Sequence, residues 1–180
     1  MMVIDGRAGV TPMDEHFAGW LRKQHKPVVL VVNKAEGNKA SPAIAEAHAL
    51  GLGEPVGISA EHGEGMADLY ERLAAFDKES PVAGRQSPEG ESAPLQLAIV
   101  GRPNAGKSTL FNKIIGRERV LTGPEAGITR DAIMVEHMFE GRALKLVDTA
   151  GMRRKFNVTG KVEKLAVADA IDSLQYAHVV

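Results

Sequence analysis

LQLAIV-GRPNAGKS-TLFNKII, residues 95–115, is the stretch on which the reading of this chain turns. Leu95–Val100 is a short apolar run of the kind that forms a strand buried on both faces. Gly101–Ser108 matches the pattern GxxxxGK[ST], and Ser108–Ile115 has the apolar spacing of a helix. Strand, glycine-containing turn and helix together are the context that gives the pattern its meaning. The glycines let the backbone wrap closely, so that successive N–H groups point at phosphate oxygens, and the helix N-terminus adds a favourable dipole. Lys107 is placed to reach β- and γ-phosphates, and the Ser108 hydroxyl to bind Mg²⁺.

Downstream, Ile133–Phe139 and Ala143–Val147 predict a hairpin joined at Glu140–Gly141. Asp148-Thr-Ala-Gly151 follows its second strand, where a carboxylate can hold Mg²⁺ through water and the Gly151 N–H can sense a γ-phosphate. Thr129, in Gly127-Ile-Thr-Arg-Asp131, can offer its hydroxyl to Mg²⁺ and its backbone to the γ-phosphate. The candidate phosphate-binding set is therefore Asn104, Ala105, Gly106, Lys107, Ser108, Thr109, Asp148 and Gly151. Lys107, Thr129 and Gly151 are its candidate catalytic members, and Ser108, Thr129 and Asp148 its Mg²⁺ ligands. Gly160–Tyr176 is helical in period, and His178–Val180 begins another strand.

Upstream of the loop, Pro27–Val32 (PVVLVV) predicts a buried parallel strand, Pro55–Ser59 a second, and Met1–Asp5 a strand end. Thr11–His25, Ala40–Gly51 and Gly65–Phe76 read as helices between and after them. Asn33-Lys-Ala-Glu36 comes straight off PVVLVV. A carboxylate there can accept two hydrogen bonds from the N1–H and N2 amine of guanine, which adenine cannot supply. Asn33 is expected either at the N7 side of the base or bracing the phosphate loop, with the Lys34 stem along the purine face. Ser59-Ala60 is expected to offer a backbone N–H to the guanine oxygen. The alternation of strands and helices indicates an α/β fold with a mainly parallel sheet and flanking helices. Three parts are expected: residues 1–76, a polar linker over 77–94 with three prolines, and residues 95–180.

Bulk composition agrees with a globular protein. Of 180 residues, 44% are apolar and 25% charged, with 22 basic against 23 acidic side chains. Such a balance gives no footprint for extended nucleic acid or for a membrane surface. The absence of cysteine excludes disulfides and thiolate metal sites, and fits a reducing cytoplasm. The first residues carry Asp5 and no basic lead-in, so they make a poor signal peptide, and a soluble, cytoplasmic protein is expected. The six histidines show no metal-ligand spacing, Glu61–Glu64 reads as a charged loop, and Arg153–Lys155 as a solvated basic cluster.

Taken together, GRPNAGKS, GITRD, DTAGMRRK, NKAE and SAE resemble the five signatures of translation-factor-class GTPases, and nearest among them the Der (EngA) family of bacteria. Those proteins carry two G domains in tandem, followed by an RNA-binding domain of KH-like topology, and are implicated in maturation of the large ribosomal subunit. DGRAGVTPMDEHFAGWLRK resembles the stretch before the base-reading signature of the first G domain, and DTAGMRRKFNVTGKVEKLAV the switch II region of the second. The resemblance implies GTP/GDP as ligand, Mg²⁺ as cofactor, the large ribosomal subunit or its rRNA as partner, and no membrane or DNA partner. Asn104 resembles the phosphate-loop asparagine of potassium-dependent GTPases, which implies a K⁺ site; Met152 stands where Ras-like enzymes carry a water-orienting glutamine.

The sequence departs from the family in three respects. Glu36 stands where Asp is usual, with the same two acceptor oxygens on a longer stem. The base-reading signatures precede the phosphate loop, so the chain reads as the second half of one G domain, a linker, and the first half of the next. The KH-like domain has no counterpart here. The two halves are complementary: Ala177–Val180 placed before Met1–Arg7 resembles one uninterrupted strand. The expectation is a fragment of a Der-family GTPase whose halves assemble as one circularly permuted G domain, against the competing view that each half leaves sheet edges exposed and aggregates. A naturally permuted ribosome-assembly GTPase and a non-catalytic nucleotide- or ribosome-binding module are the alternatives.

Overall fold

A computed structural model describes residues 1–36, 40–79, 95–116, 134–139 and 142–147. The first part of the chain forms β1 (Met2–Asp5), α1 (Pro12–Arg22), β2 (Leu30–Asn33), α2 (Ala40–His48), β3 (Val56–Gly57) and α3 (Met66–Glu79). The second contributes β4 (Leu95–Ala98), α4 (Lys107–Ile115), β5 (Met134–Phe139) and β6 (Arg142–Val147). β1, β2 and β3 are parallel neighbours; β6 lies parallel to β4 and antiparallel to β5.

These two three-stranded sheets meet along one seam. The Val3 N–H donates to Val100 O at 2.8 Å, and the Val100 N–H to Met1 O at 2.8 Å, as a parallel pairing just beyond the end of β4. The strand order across the seam is therefore β3-β2-β1-β4-β6-β5.

Side chains alternate between the two faces of this sheet, as the two-residue period of a strand requires. Met1, Val3, Val29, Val31, Leu95, Leu97 and Ile99 pack with Leu69 and Leu73 of α3 and Leu110, Phe111 and Ile114 of α4. Met2, Ile4, Leu30, Val32, Ala98 and Val100 pack on the opposite side with Phe17, Ala18 and Leu21 of α1 and Ala43 and Ala47 of α2. Each fully buried Leu, Ile or Phe contributes about 1.5–3 kcal/mol. Both layers draw on residues from before and after the expected linker, so the apolar cores join the two halves as the backbone seam does.

Boundaries differ from expectation where backbone chemistry decides them. β2 starts at Leu30, three residues later than expected, and runs on to Asn33, which pairs with Asp5. α3 runs to Glu79, taking Asp77, Lys78 and Glu79 out of the expected linker. Those residues contain no helix breaker, whereas Pro81 restricts the residue before it. Residues 37–39, 80–94, 117–133, 140–141 and everything from Asp148 onward, including the expected helix Gly160–Tyr176 and strand His178–Val180, lie outside the described residues. No helix among the described residues is long and apolar enough to cross a membrane.

The seam has a sharp test at Gly101. Its φ is +142°, and a Cβ placed there would lie 2.2 Å from Val3 O. Gly101→Ala is expected to destabilise the chain by about 2–4 kcal/mol, read as a shift in urea midpoint at unchanged m. A loss under about 1 kcal/mol would mean that Val3 does not lie beside Gly101.

Candidate functional site

At the carboxyl edge of the parallel strands, four loops converge, the usual place for a ligand in an open α/β sheet. One is the turn after β4. Gly106, at φ +92°, caps α4 in the left-handed region, and a Cβ on it would stand 2.1 Å from Asn33 Nδ2. Glycine is thus required here twice over, by conformation and by the approach of a side chain from the other half of the sequence. Asn104 takes a positive φ of 64°, a conformation asparagine tolerates better than most residues. Ala105 is fully buried, while Ser108 and Thr109 are exposed on the first turn of α4.

Asn33 ties the loops together. It is 2% exposed; its Nδ2 donates to Ala105 O at 3.0 Å, and its Oδ1 accepts from the Ala60 N–H at 3.0 Å. Of the two roles open to Asn33 on sequence, the structure has it bracing the phosphate loop. Lys34, at φ 61°, donates from Nζ to Asp5 Oδ2 at 2.6 Å and to Asn104 O at 2.9 Å, so its stem spans from β2 to the phosphate loop.

Glu36 accepts from Ser59 Oγ at 3.1 Å and from Arg7 Nη2 at 3.3 Å. Its own backbone N–H, against some desolvation, and then Ser59 and Arg7 hold its carboxyl below the usual range, which leaves it an ionised acceptor at neutral pH. The Ala60 N–H, expected to face a guanine oxygen, donates here to Asn33 Oδ1 at 3.0 Å, and the Ser59 N–H donates to Glu64 O at 2.9 Å. Ser59 and Ala60 are both buried, and a buried N–H takes whichever acceptor lies within reach.

Lys107 folds back over its own loop, donating from Nζ to Gly101 O and Arg102 O, each at 2.7 Å. Burial, and then the positive charge of Arg102, push its ammonium down to about 8 against a smaller counter-pull from Asp14. Asp5 is opposed by desolvation, but the Lys34 hydrogen bond and the Arg7 and Ala8 N–H groups prevail and hold its carboxyl below the ordinary value.

Asn33, Lys34, Glu36, Ser59 and Ala60 are thus brought to the same edge as Asn104, Ala105, Gly106, Lys107, Ser108 and Thr109. Thr129, Asp148 and Gly151 lie outside the described residues. Sequence reasoning missed Asp5, Asp14 and Arg102. Asp14 had a signal: it falls on the buried stripe Asp14, Phe17, Ala18, Leu21 of α1, where the helical period calls for an apolar residue. It also missed that donor atoms of Glu36, Glu61 and His62 gather within 4.8 Å of one another, because the group spans two loops. His62 and Glu61 are exposed there, and Glu36 is already held by Ser59 and Arg7.

Residues 96–180 match the family model described as "50S ribosome-binding GTPase". Over all of its length the chain is similar to proteins named GTPase Der. It is 49% identical to that of Nitrobacter hamburgensis over 191 aligned positions, covering 41% of that protein. It is 50% identical to that of Cereibacter sphaeroides over 205 positions, and 51% to that of Novosphingobium aromaticivorans over 195, covering 42% of each. The chain thus spans less than half the length of these relatives.

The Lys107 environment sets a pH signature. A lysine that holds its proton less well folded than unfolded opposes folding below about 8, and the opposition fades as pH rises from about 8 towards 10.5. Over that window, stability relative to Lys107→Met is expected to increase with pH, and carbon NMR of the Lys107 side chain should titrate with a midpoint near 8. A midpoint above 10 would show that the ammonium is not buried against Arg102.

Proposed function

We propose, for a chain similar along its whole length to proteins named GTPase Der, that its two halves make one composite site for a guanine nucleotide. The observation that carries this reading is Asn33, hydrogen-bonded on one side to the phosphate loop at Ala105 O and on the other to the Ala60 N–H. One buried side chain thus fixes the distance between the part suited to phosphates and the part suited to the base.

In this reading the N–H groups of Asn104–Thr109 cradle the phosphates at the N-terminus of α4. Lys107 gives up its loop carbonyls for the β- and γ-phosphates, and the Lys34 stem lies along the purine. The Glu36 carboxylate, ionised and held by Ser59, accepts from the guanine N1–H and N2 amine. Discrimination against adenine follows, since the ring that meets Glu36 would then bring no donor in place of N1–H. Glycine at 106 leaves the room that Asn33 Nδ2 occupies, so that the base-reading loop closes directly on the phosphate loop.

The exposed Ser108 at the head of α4 suits a Mg²⁺ ligand, with Thr129 and Asp148 as its proposed companions, and Asn104 a K⁺ ligand. Bound there, such cations would spread the charge that develops on the γ-phosphoryl group. Thr129 and Gly151 are proposed to meet the γ-phosphate through their backbone.

For the whole protein we propose GTP hydrolysis to GDP and phosphate in the cytoplasm, in service of the large ribosomal subunit. The description "50S ribosome-binding GTPase" supports that partner. The division into residues 1–76, a linker and residues 95–180 is kept as part of the proposal, with α3 extending into the linker as far as Glu79.

Titration of this chain with a fluorescent GDP analogue in Mg²⁺ tests the composite site. Saturable binding that GTP but not ATP displaces is expected, and Asn33→Ala should weaken it by about tenfold or more, as loss of a buried hydrogen-bonded group does. Equal displacement by ATP, or no saturable binding, would overturn the reading. In the full-length protein, hydrolysis is expected to run faster in K⁺ than in Na⁺; equal rates would remove Asn104 as a K⁺ ligand.

A further inference from the structure

Beneath the phosphate loop lies a group of charges that the proposed chemistry does not use. Asp14 is completely buried on the apolar stripe of α1. Its Oδ2 accepts from Thr11 Oγ1 at 2.6 Å and from the Thr11 N–H at 3.0 Å, which closes the capping box of that helix. Its Oδ1 has no hydrogen-bond partner among the described residues. Facing it is Arg102, the second residue of the phosphate loop, with Nε 3.6 Å from Asp14 Oδ2 and Nη2 3.8 Å from Asp5 Oδ2. Both of these nitrogens are buried and make no hydrogen bond among the described residues. Asp5 Oδ2 is also the acceptor for Lys34 Nζ.

A helix cap needs no arginine, and a buried arginine needs a counter-charge. A guanidinium taken from water is costly unless a carboxylate faces it, and a carboxylate at a helix N-terminus gains from the dipole in addition. Arg102 also supplies through its carbonyl one of the two acceptors that hold Lys107. One residue thus carries both the guanidinium that faces Asp14 and Asp5 and a carbonyl on which Lys107 rests.

The geometry points to Asp14 as a positioning residue for the phosphate loop: acting through Arg102, and together with Asp5, it clasps that loop to the base-reading half of the site. Asp5 shares one oxygen between Lys34, from the base-reading loop, and Arg102, from the phosphate loop. Asp14 carries the remaining charge of Arg102. Both carboxylates come from the first half of the sequence and the cation they share from the second, so the clasp forms only when the halves unite. It rests on the nucleotide reading given above, since what it positions is the loop assigned to phosphate.

Asp14→Asn is the informative substitution, because an asparagine oxygen can still accept from Thr11 while the charge facing Arg102 is gone. GDP affinity is measured with the fluorescent analogue at a temperature where circular dichroism shows each variant folded. Asp14→Asn is expected to weaken binding about tenfold, because the buried arginine is left with only the Asp5 oxygen that it shares with Lys34. Adding Arg102→Gln removes that cation, and the double variant should come within about threefold of Arg102→Gln alone. Loss from Asp14→Asn below about twofold, or losses that simply multiply in the double variant, would overturn the clasp. A helix cap alone would lower the melting temperature without such rescue of affinity. Should the unaltered chain bind no GDP, the nucleotide reading falls. The clasp is then judged by urea unfolding of the same four chains: non-additive losses for the pair support it and additive ones overturn it.

Discussion

Two backbone hydrogen bonds, from Val3 N–H to Val100 O and from Val100 N–H to Met1 O, are the joint on which the rest of the structure depends. They set β1, from the start of the sequence, beside the extension of β4, from its second half. Everything at the carboxyl edge inherits its spacing from that register. Asn33 reaches Ala105, and Lys34 reaches Asn104, only because β2 lies one strand beyond β1, and β1 lies next to the strand that launches the phosphate loop. Apolar packing on both faces holds the joint, since each of the two core layers takes residues from both halves. A parallel strand pair of this kind has no short connection, so it is closed by burial and not by a turn.

The same proximity explains the composition of the loops. Gly101 passes over Val3 and Gly106 under Asn33, and in both places a side chain would strike atoms from the other half of the sequence. Charge follows a similar logic. Three cations, Lys34, Arg102 and Lys107, gather in one corner, and the chain answers them with Asp5 and Asp14 and with the carbonyls of Gly101, Arg102 and Asn104. An anionic phosphate group is the natural further partner for such a corner, where two of the cations already rest on neutral carbonyl oxygens for part of their stabilisation.

Much of this was legible in the residues. PVVLVV and LQLAIV announced buried strands, GRPNAGKS the turn between a strand and a helix, and NKAE with SAE loops at the ends of neighbouring strands, because each depends on local backbone preference and on residue types at fixed short spacing. Element limits were less legible: α3 outran its expected end by way of Asp77, Lys78 and Glu79, residues equally at home in helix and linker. The partners of individual polar groups were not legible. Nothing local indicates that the Ala60 N–H goes to Asn33, or that Lys107 rests on the loop carbonyls, because these pairings are chosen among atoms brought close by the fold.

By itself, then, the sequence determined the α/β class, the residue types that each loop offers, and the likeness to a GTPase read in an unusual order. Those properties follow from hydrophobic period, from glycine placement and from the side chains that phosphate and guanine require. Only the tertiary structure decided which atoms of loops some seventy positions apart meet, Asn33 with Ala105 and Lys34 with Asn104, and that Arg102 meets Asp14 and Asp5. Strand order across a seam is a long-range choice, made by the burial of two apolar faces at once, and no local pattern encodes it.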